Sequence, residues 1–132
     1  MESLRYILDT HTFLWAVSES NKLSTVAKEA MSRSHGSFFV SSISAYEIMN
    51  KFRLGKLPEY AFVAENYLEI LHQFGAEELP IKTNHAHYAG KFEWGHRDPF
   101  DRILAAQAFV EDLVIITNDS VFDTLPWLKI LW

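Results

Sequence analysis

The stretch LRYILDTHTFLWAV, residues 4–17, decides the fold. Leu4–Leu8 has the short apolar composition of a buried strand, and it ends at Asp9 with no turn residue to explain the acid. His11–Val17 continues as a short helix carrying Phe13, Leu14 and Trp15. Working outward, the same alternation of strand and helix repeats. Ser24 is an N-cap signal for a helix through Arg33. Gly36 breaks the chain, and Ser37–Ser41 (SFFVS) reads as the next strand. Ser44–Leu54 is a third helix closed by Gly55. After Pro58, the helical spacing of Tyr60, Val63, Ala64, Tyr67, Leu71 and Phe74 predicts one helix up to Gly75. Glu78–Ile81 is a weak strand and Asn84–Glu93 a helix. Pro99 sits in the first turn of a helix reaching about Asp112. Ile103, Leu104, Ala105, Ala106, Ala108, Phe109 and Val110 cover nearly its whole circumference, which predicts burial on most sides. Leu113–Thr117 is the most apolar strand, followed by a short helix, Ser120–Leu125, and a last strand, Leu128–Leu131.

This alternation predicts parallel strands joined by right-handed crossovers, hence an α/β protein with a three-layer α/β/α sandwich around a central parallel sheet. Residues 1–132 are expected to form one domain, without repeat, linker or low-complexity segment. A hydrophobic fraction of 48% is ample for a core, and 14% aromatic residues argue against disorder. The absence of cysteine excludes disulfide frameworks, thiol nucleophiles, iron–sulfur clusters and most structural zinc sites. No apolar run approaches the roughly 20 residues of a membrane span, and Met1–Leu8 is too short and polar for a signal peptide, so a cytoplasmic protein is expected. The net charge of −5 argues against nucleic-acid binding by bulk charge, but leaves open a nuclease whose acids hold a metal.

In a parallel sheet of this type, ligands bind beyond the carboxyl ends of the strands. Asp9 follows the first strand directly, and Asp119 follows the Leu113–Thr117 strand after Asn118. Glu47 lies in the first turns of the helix after the second strand, while Asp98 and Asp101 flank the start of the apolar helix. The fold would bring these acids to one rim. Packed carboxylates repel one another and resist ionising, and a hard cation such as Mg²⁺ or Mn²⁺ reverses that penalty. Each acid also has a purely structural alternative. Asp98 is an N-cap, Asp101 a first-turn acid, Glu47 a partner for Lys51, and Asp119 a cap for the terminal helix. Asp9 is the hardest to explain that way.

Three blocks carry a family resemblance: LDTHTFLW (8–15), SAYEIMNKFRLGKL (44–57), and HRDPFDRILAAQA (96–108) followed by ITNDSVF (116–122). On these blocks the sequence resembles the PIN-domain ribonucleases, and among them the VapC-like toxins of type II toxin–antitoxin pairs. The resemblance spans essentially the whole chain. It implies a PIN fold and a Mg²⁺- or Mn²⁺-dependent endoribonuclease leaving 5′-phosphate and 3′-hydroxyl ends. It carries the family's four acids onto Asp9, Glu47, Asp101 and Asp119, which would hold one or two metal ions. It places Asp98 beside the metal site as a cap, and Thr117 as a hydroxyl orienting a carboxylate or water. It also implies a homodimer, and a VapB-like antitoxin whose C-terminal segment wraps the toxin and can place a basic side chain in the acidic pocket. The segment from Asn84 to Gly95 departs from the family pattern.

The charges are unevenly spread. Leu57–Ile81 contains no Lys or Arg but five glutamates: Glu59, Glu65, Glu69, Glu77 and Glu78. Lys51, Arg53 and Lys56 flank one acid block, and Arg97 and Arg102 another; these are candidate contacts for RNA phosphates, or simply a solvated face. His85 and His87 are two apart and form no HExxH pattern, so they suggest no zinc site. His96 lies beside an acid block, where ordinary polar packing is the expectation and substrate contact the alternative. The rival to a nuclease is a catalytically weak or inactive binding module whose acidic pocket receives an antitoxin segment. A phosphotransfer receiver domain fits poorly: it wants paired acids at the first strand and a lysine after the last. Here Thr10 follows Asp9, and Lys129 lies within the final strand.

Overall fold

A computed structural model describes residues 4–33 and 38–132. β1 (Tyr6–Leu8) passes straight into α1 (Thr10–Ser18), and all three strand residues are buried. Asp9 makes the junction with extended dihedrals (φ −71°, ψ 169°), and its Oδ1 accepts from the Thr12 amide at 2.7 Å. Asp9 therefore has a structural role after all, as the N-cap of α1. Strand and helix need no loop between them because the acid ends one and starts the other.

The chain continues through α2 (Thr25–Arg33), β2 (Phe38–Ser41) and α3 (Ser42–Arg53). Ser24 and Ser41 cap the two helices, accepting from Ala27 and Ile43 amides at 2.9 and 3.0 Å. The Gly36 break and the Ser37 strand start lie outside the described residues. Next come α4 (Ala61–Glu65), α5 (Tyr67–Phe74), β3 (Glu77–Leu79), α6 (Thr83–Lys91), α7 (Pro99–Val110), β4 (Val114–Ile116) and β5 (Ile130–Leu131). The five strands form one sheet in the order β3-β2-β1-β4-β5, every pair parallel. Ile7 lies opposite Phe39 on one side and Ile115 on the other.

Side chains alternate across the central strands. Tyr6, Leu8, Val114 and Ile116 join Phe13, Leu14, Ala27 and Val63 on one face. Ile7 and Ile115 join Leu104, Ala105, Ala108 and Phe122 on the other. α3 serves both, with Ile48 in the first cluster and Ile43 in the second. The result is the expected three-layer α/β/α sandwich.

Two expectations need correction. The segment 60–74 is not one helix. Asn66 leaves helical geometry (φ −121°, ψ 29°), and its Nδ2 donates to the Phe62 carbonyl at 2.9 Å. Such a side-chain bond competes with the helical ladder, so α4 ends there and α5 starts afresh. α7 is not buried nearly all round. Leu104–Ala108 are buried, but Phe109 remains 48% exposed, and Ile103 and Val110 are half-buried. Its outer side is covered only in part, by Tyr88 of α6 stacked on Phe109 with centroids 4.9 Å apart.

Strand order reverses between β1 and β4, since β2 and β3 lie to one side and β5 to the other. Such a reversal opens a crevice at the carboxyl ends of the strands.

Candidate active site

Asp9 leaves β1 and Thr117 leaves β4 on the two sides of that crevice. The Thr117 hydroxyl donates to Asp9 Oδ2, and its oxygen accepts from the Asp119 amide at 3.0 Å. The Thr12 hydroxyl donates to the Ile116 carbonyl at 2.8 Å, tying α1 to the end of β4. Asp9 is thus buried with both carboxylate oxygens engaged.

Glu47 comes from the second turn of α3 and is buried. Its Oε1 accepts from the Thr10 hydroxyl at 2.7 Å, while its Oε2 pairs with Lys51 one turn on. Asp98 caps α7, accepting from the Phe100 and Asp101 amides at 2.8 and 3.3 Å. Asp101, in the first turn, has its Oδ2 2.7 Å from His96 Nε2. Asp119 is exposed and accepts from the Val121 amide at 3.0 Å. Asp9, Glu47, Asp98, Asp101 and Asp119 all line one cavity of about 310 Å³, together with Thr10, His11, Thr12, Trp15, Lys51 and Asn118.

Burial pushes the Asp9 carboxyl above its ordinary range, against the hydrogen bonds from Thr117 and Thr12 that pull it down. Burial likewise raises Asp101 to about 6; the His96 hydrogen bond lowers it, while the charges of Asp98 and Glu47 raise it. Burial opposes the charge on Lys51, but its bond to Glu47 and the nearby charges of Asp98 and Asp101 prevail and raise its pKa. Burial thus disfavours the charged forms of Asp9 and Asp101, and the neighbouring acids add to this at Asp101.

The donor chemistry suits a hard divalent ion. Asp9, Glu47, Asp101 and Asp119 offer carboxylate oxygens, which Mg²⁺ and Mn²⁺ prefer. A tighter trio, His96, Asp98 and Asp101, offers one ligand atom each within 4.8 Å of one another. Asp9 and Glu47 fall outside that trio, and it includes a histidine that is not on the cavity wall. The four cavity-lining carboxylates, which come from four separate parts of the chain, are the other candidate set.

The candidate basic residues separate into two groups. Lys51 pairs with Glu47, and Arg53 donates to Asn50 Oδ1 at 2.6 Å. Arg102 spends its guanidinium on the carbonyls of Ala89, Phe92, Trp94 and His96. Lys56 and Arg97 are exposed, and their side chains meet no hydrogen-bond or ion-pair partner among the described residues. Sequence reading missed Thr10 and Thr12, the hydroxyls that orient Glu47 and tie α1 to β4. Their signal was available: both stand in the LDTHT block immediately after the first strand. His96, expected in polar packing, makes its polar contact with a cavity acid, Asp101.

A family model described as the PIN domain matches residues 6–128. The DNA-bound VapBC structure from Salmonella typhimurium is similar at a TM-score of 0.68 and 21% identity, over 98% of both chains. VapBC2 from Rickettsia felis, bound to a DNA fragment from its promoter, gives 0.66 and 16%, over 97% of this chain and 98% of that one. A toxin–antitoxin complex from Klebsiella pneumoniae gives 0.63 and 17%, over 96% of each chain. A search of curated proteins returns no match.

Proposed function

The chain belongs to the PIN domain family, whose members are generally nucleases, and from that premise we propose that it is a metal-dependent endoribonuclease and the toxin of a type II toxin–antitoxin pair. The observation that carries this reading is the company Asp9 keeps. Asp9, Asp98 and Asp119 each cap a helical turn, so capping alone would account for them. Glu47 and Asp101 accept no capping bond, yet both line the same cavity as Asp9.

Asp9, Glu47, Asp101 and Asp119 would hold Mg²⁺ or Mn²⁺, directly or through water. Once bound, the ion supplies positive charge for an attacking water and for the leaving oxygen of a phosphodiester. The protein's own part is to fix the carboxylates. Thr117 holds Asp9 through Oδ2, and Thr10 holds Glu47 through Oε1. Hydrolysis with the 3′ oxygen leaving gives 5′-phosphate and 3′-hydroxyl ends, and no side chain serves as a covalent nucleophile. Lys56 and Arg97, unpaired among the described residues, are the basic side chains left to meet RNA phosphates.

Similarity to VapBC complexes supports an antitoxin partner, and exposed Tyr46, Met49, Phe62 and Leu68 supply apolar surface for it or for a homodimer. No helix among the described residues is long and apolar enough to cross a membrane, which accords with a cytoplasmic pair. One observation favours a second reading, a binding module without activity. Lys51 already sits against Glu47 at the cavity wall, so the cavity accepts a basic side chain.

The discriminating experiment incubates purified, partner-free protein with Mn²⁺ and end-labelled single-stranded RNA or DNA of the same sequence. Cleavage of the RNA to 5′-phosphate ends, abolished by a chelator, is expected. Intact RNA with Mn²⁺ bound would favour the binding module.

A further inference from the structure

We propose that His96 is a positioning residue for this cavity: its imidazole fixes Asp101 toward the cation, and Arg102 fixes the loop that carries His96. The inference rests on the metal-dependent reading above. Asp101 lies on the cavity wall, whereas His96 lies on the wall of a neighbouring groove formed with Trp94, Val121 and Trp127. The imidazole therefore reaches Asp101 from outside the cavity lining, with a ring nitrogen that also lies within 4.8 Å of a ligand atom of Asp98. An ionised carboxylate has no proton to give, so His96 Nε2–H donates to Asp101 Oδ2 across 2.7 Å. That bond occupies Oδ2, and Oδ1 has no hydrogen bond among the described residues. It also acts against the repulsion of Asp98 and Glu47, whose negative charges both act on Asp101.

His96 is itself held from two sides. The loop between α6 and α7 has no ladder of its own, and its carbonyls, with that of Ala89 in the last turn of α6, converge on one guanidinium. Arg102 donates to Ala89 O at 2.8 Å, to His96 O at 3.3 Å and to Trp94 O at 3.4 Å, and it also reaches Phe92 O. The same guanidinium lies over the Phe92 ring, 4.4 Å from its centroid. On the other side, the Trp94 ring meets the His96 ring edge-on at 4.9 Å, and its Nε1 donates to Thr124 Oγ1 at 2.7 Å. Arg102 directly follows Asp101 on α7, so one helical turn carries both the acid and the clamp on the acid's holder. The planar fork of arginine suits this task and a lysine would not.

The test is Mn²⁺ affinity of the full chain, read by electron paramagnetic resonance, for wild type, His96→Ala and His96→Gln. Loss of a hydrogen-bond partner behind a metal ligand typically weakens binding ~10–100-fold, and His96→Ala is expected to do so. His96→Gln, whose Nε2 amide donates from a comparable reach, is expected to recover most of the affinity. Pulsed spectra of the Mn²⁺-loaded wild type should show no directly coordinated nitrogen. The proposal is overturned by wild-type affinity in His96→Ala, by no recovery in His96→Gln, or by a coordinated nitrogen, which would make His96 a ligand. The spectra of the wild type serve even if a variant fails to fold. Wild type that binds no Mn²⁺ would overturn the metal-dependent reading as well, so the two failures are distinguishable.

Discussion

Asp9 and Asp101 are both pushed toward the protonated form by burial, but their surroundings differ. Asp9 receives a hydroxyl and an amide, while Asp101 receives one imidazole and faces two more acids. For Asp101 the consequence for stability has a definite sign. The unfolded chain releases this proton near the ordinary value of 3.8, and the folded one near 6. Between those values folding requires proton uptake, so this contribution to stability is full below 3.8 and is lost as pH rises through 6. In metal-free protein, the urea midpoint of wild type should therefore fall more across this range than that of Asp101→Asn. Parallel curves for the two proteins would contradict the assignment. At this scale, sequence reading placed the acids correctly in one crevice, because strand ends are visible as apolar runs that stop at a carboxylate. It passed over Thr10 and Thr12 although both stand in the LDTHT block, because a hydroxyl after a strand is common and carries no mark of the partner it will meet. Nor could it show that Arg102 is committed to a loop, because the carbonyls it binds carry no side-chain signature.

At the scale of elements, helix starts bring the site together. α1, α7 and the 3₁₀ turn Ser120–Thr124 each begin at an aspartate that also lines the cavity. A cap fixes where a helix starts, and thereby fixes every side chain in its first turn. Asp98→Ala removes two acceptor bonds at the start of α7 and should cost about 1 kcal/mol of stability, measured by urea unfolding. Cleavage should fall with it, because Asp101 stands three residues further on. A stability change near zero would mean that Pro99 and the buried face of α7 set the helix start without the cap. Caps and proline made α7 legible in the sequence. The break at Asn66 was not legible, because the apolar spacing runs through it unchanged and only one side-chain bond interrupts the ladder.

For the molecule as a whole, the order β3-β2-β1-β4-β5 matters most, since it sets β1 beside β4 and thus Asp9 beside Thr117 and Asp119. Alternating strands and helices announced a parallel sheet, but strand order depends on pairings between residues more than a hundred positions apart, such as Tyr6 with Val114. No local pattern records those pairings, and the family resemblance implied a central parallel sheet without its strand order. The overall charge of −5 takes on a different meaning in this fold. Part of it is the glutamate-rich stretch 57–81, and part is the carboxylate cavity, where a bound cation would neutralise it and let an RNA phosphate approach. The central claim is that the cavity acids serve chemistry beyond capping, and Asp9→Asn tests it most directly. Asparagine keeps an acceptor for the Thr12 amide, so the fold should survive, as circular dichroism and thermal melting would show. The measurement is the rate of single-stranded RNA cleavage in Mn²⁺ by this variant beside wild type, both free of partner and of contaminating nuclease. Loss of cleavage to the chelator-treated baseline, with the fold intact, is expected; full metal-dependent cleavage by Asp9→Asn would contradict the assignment.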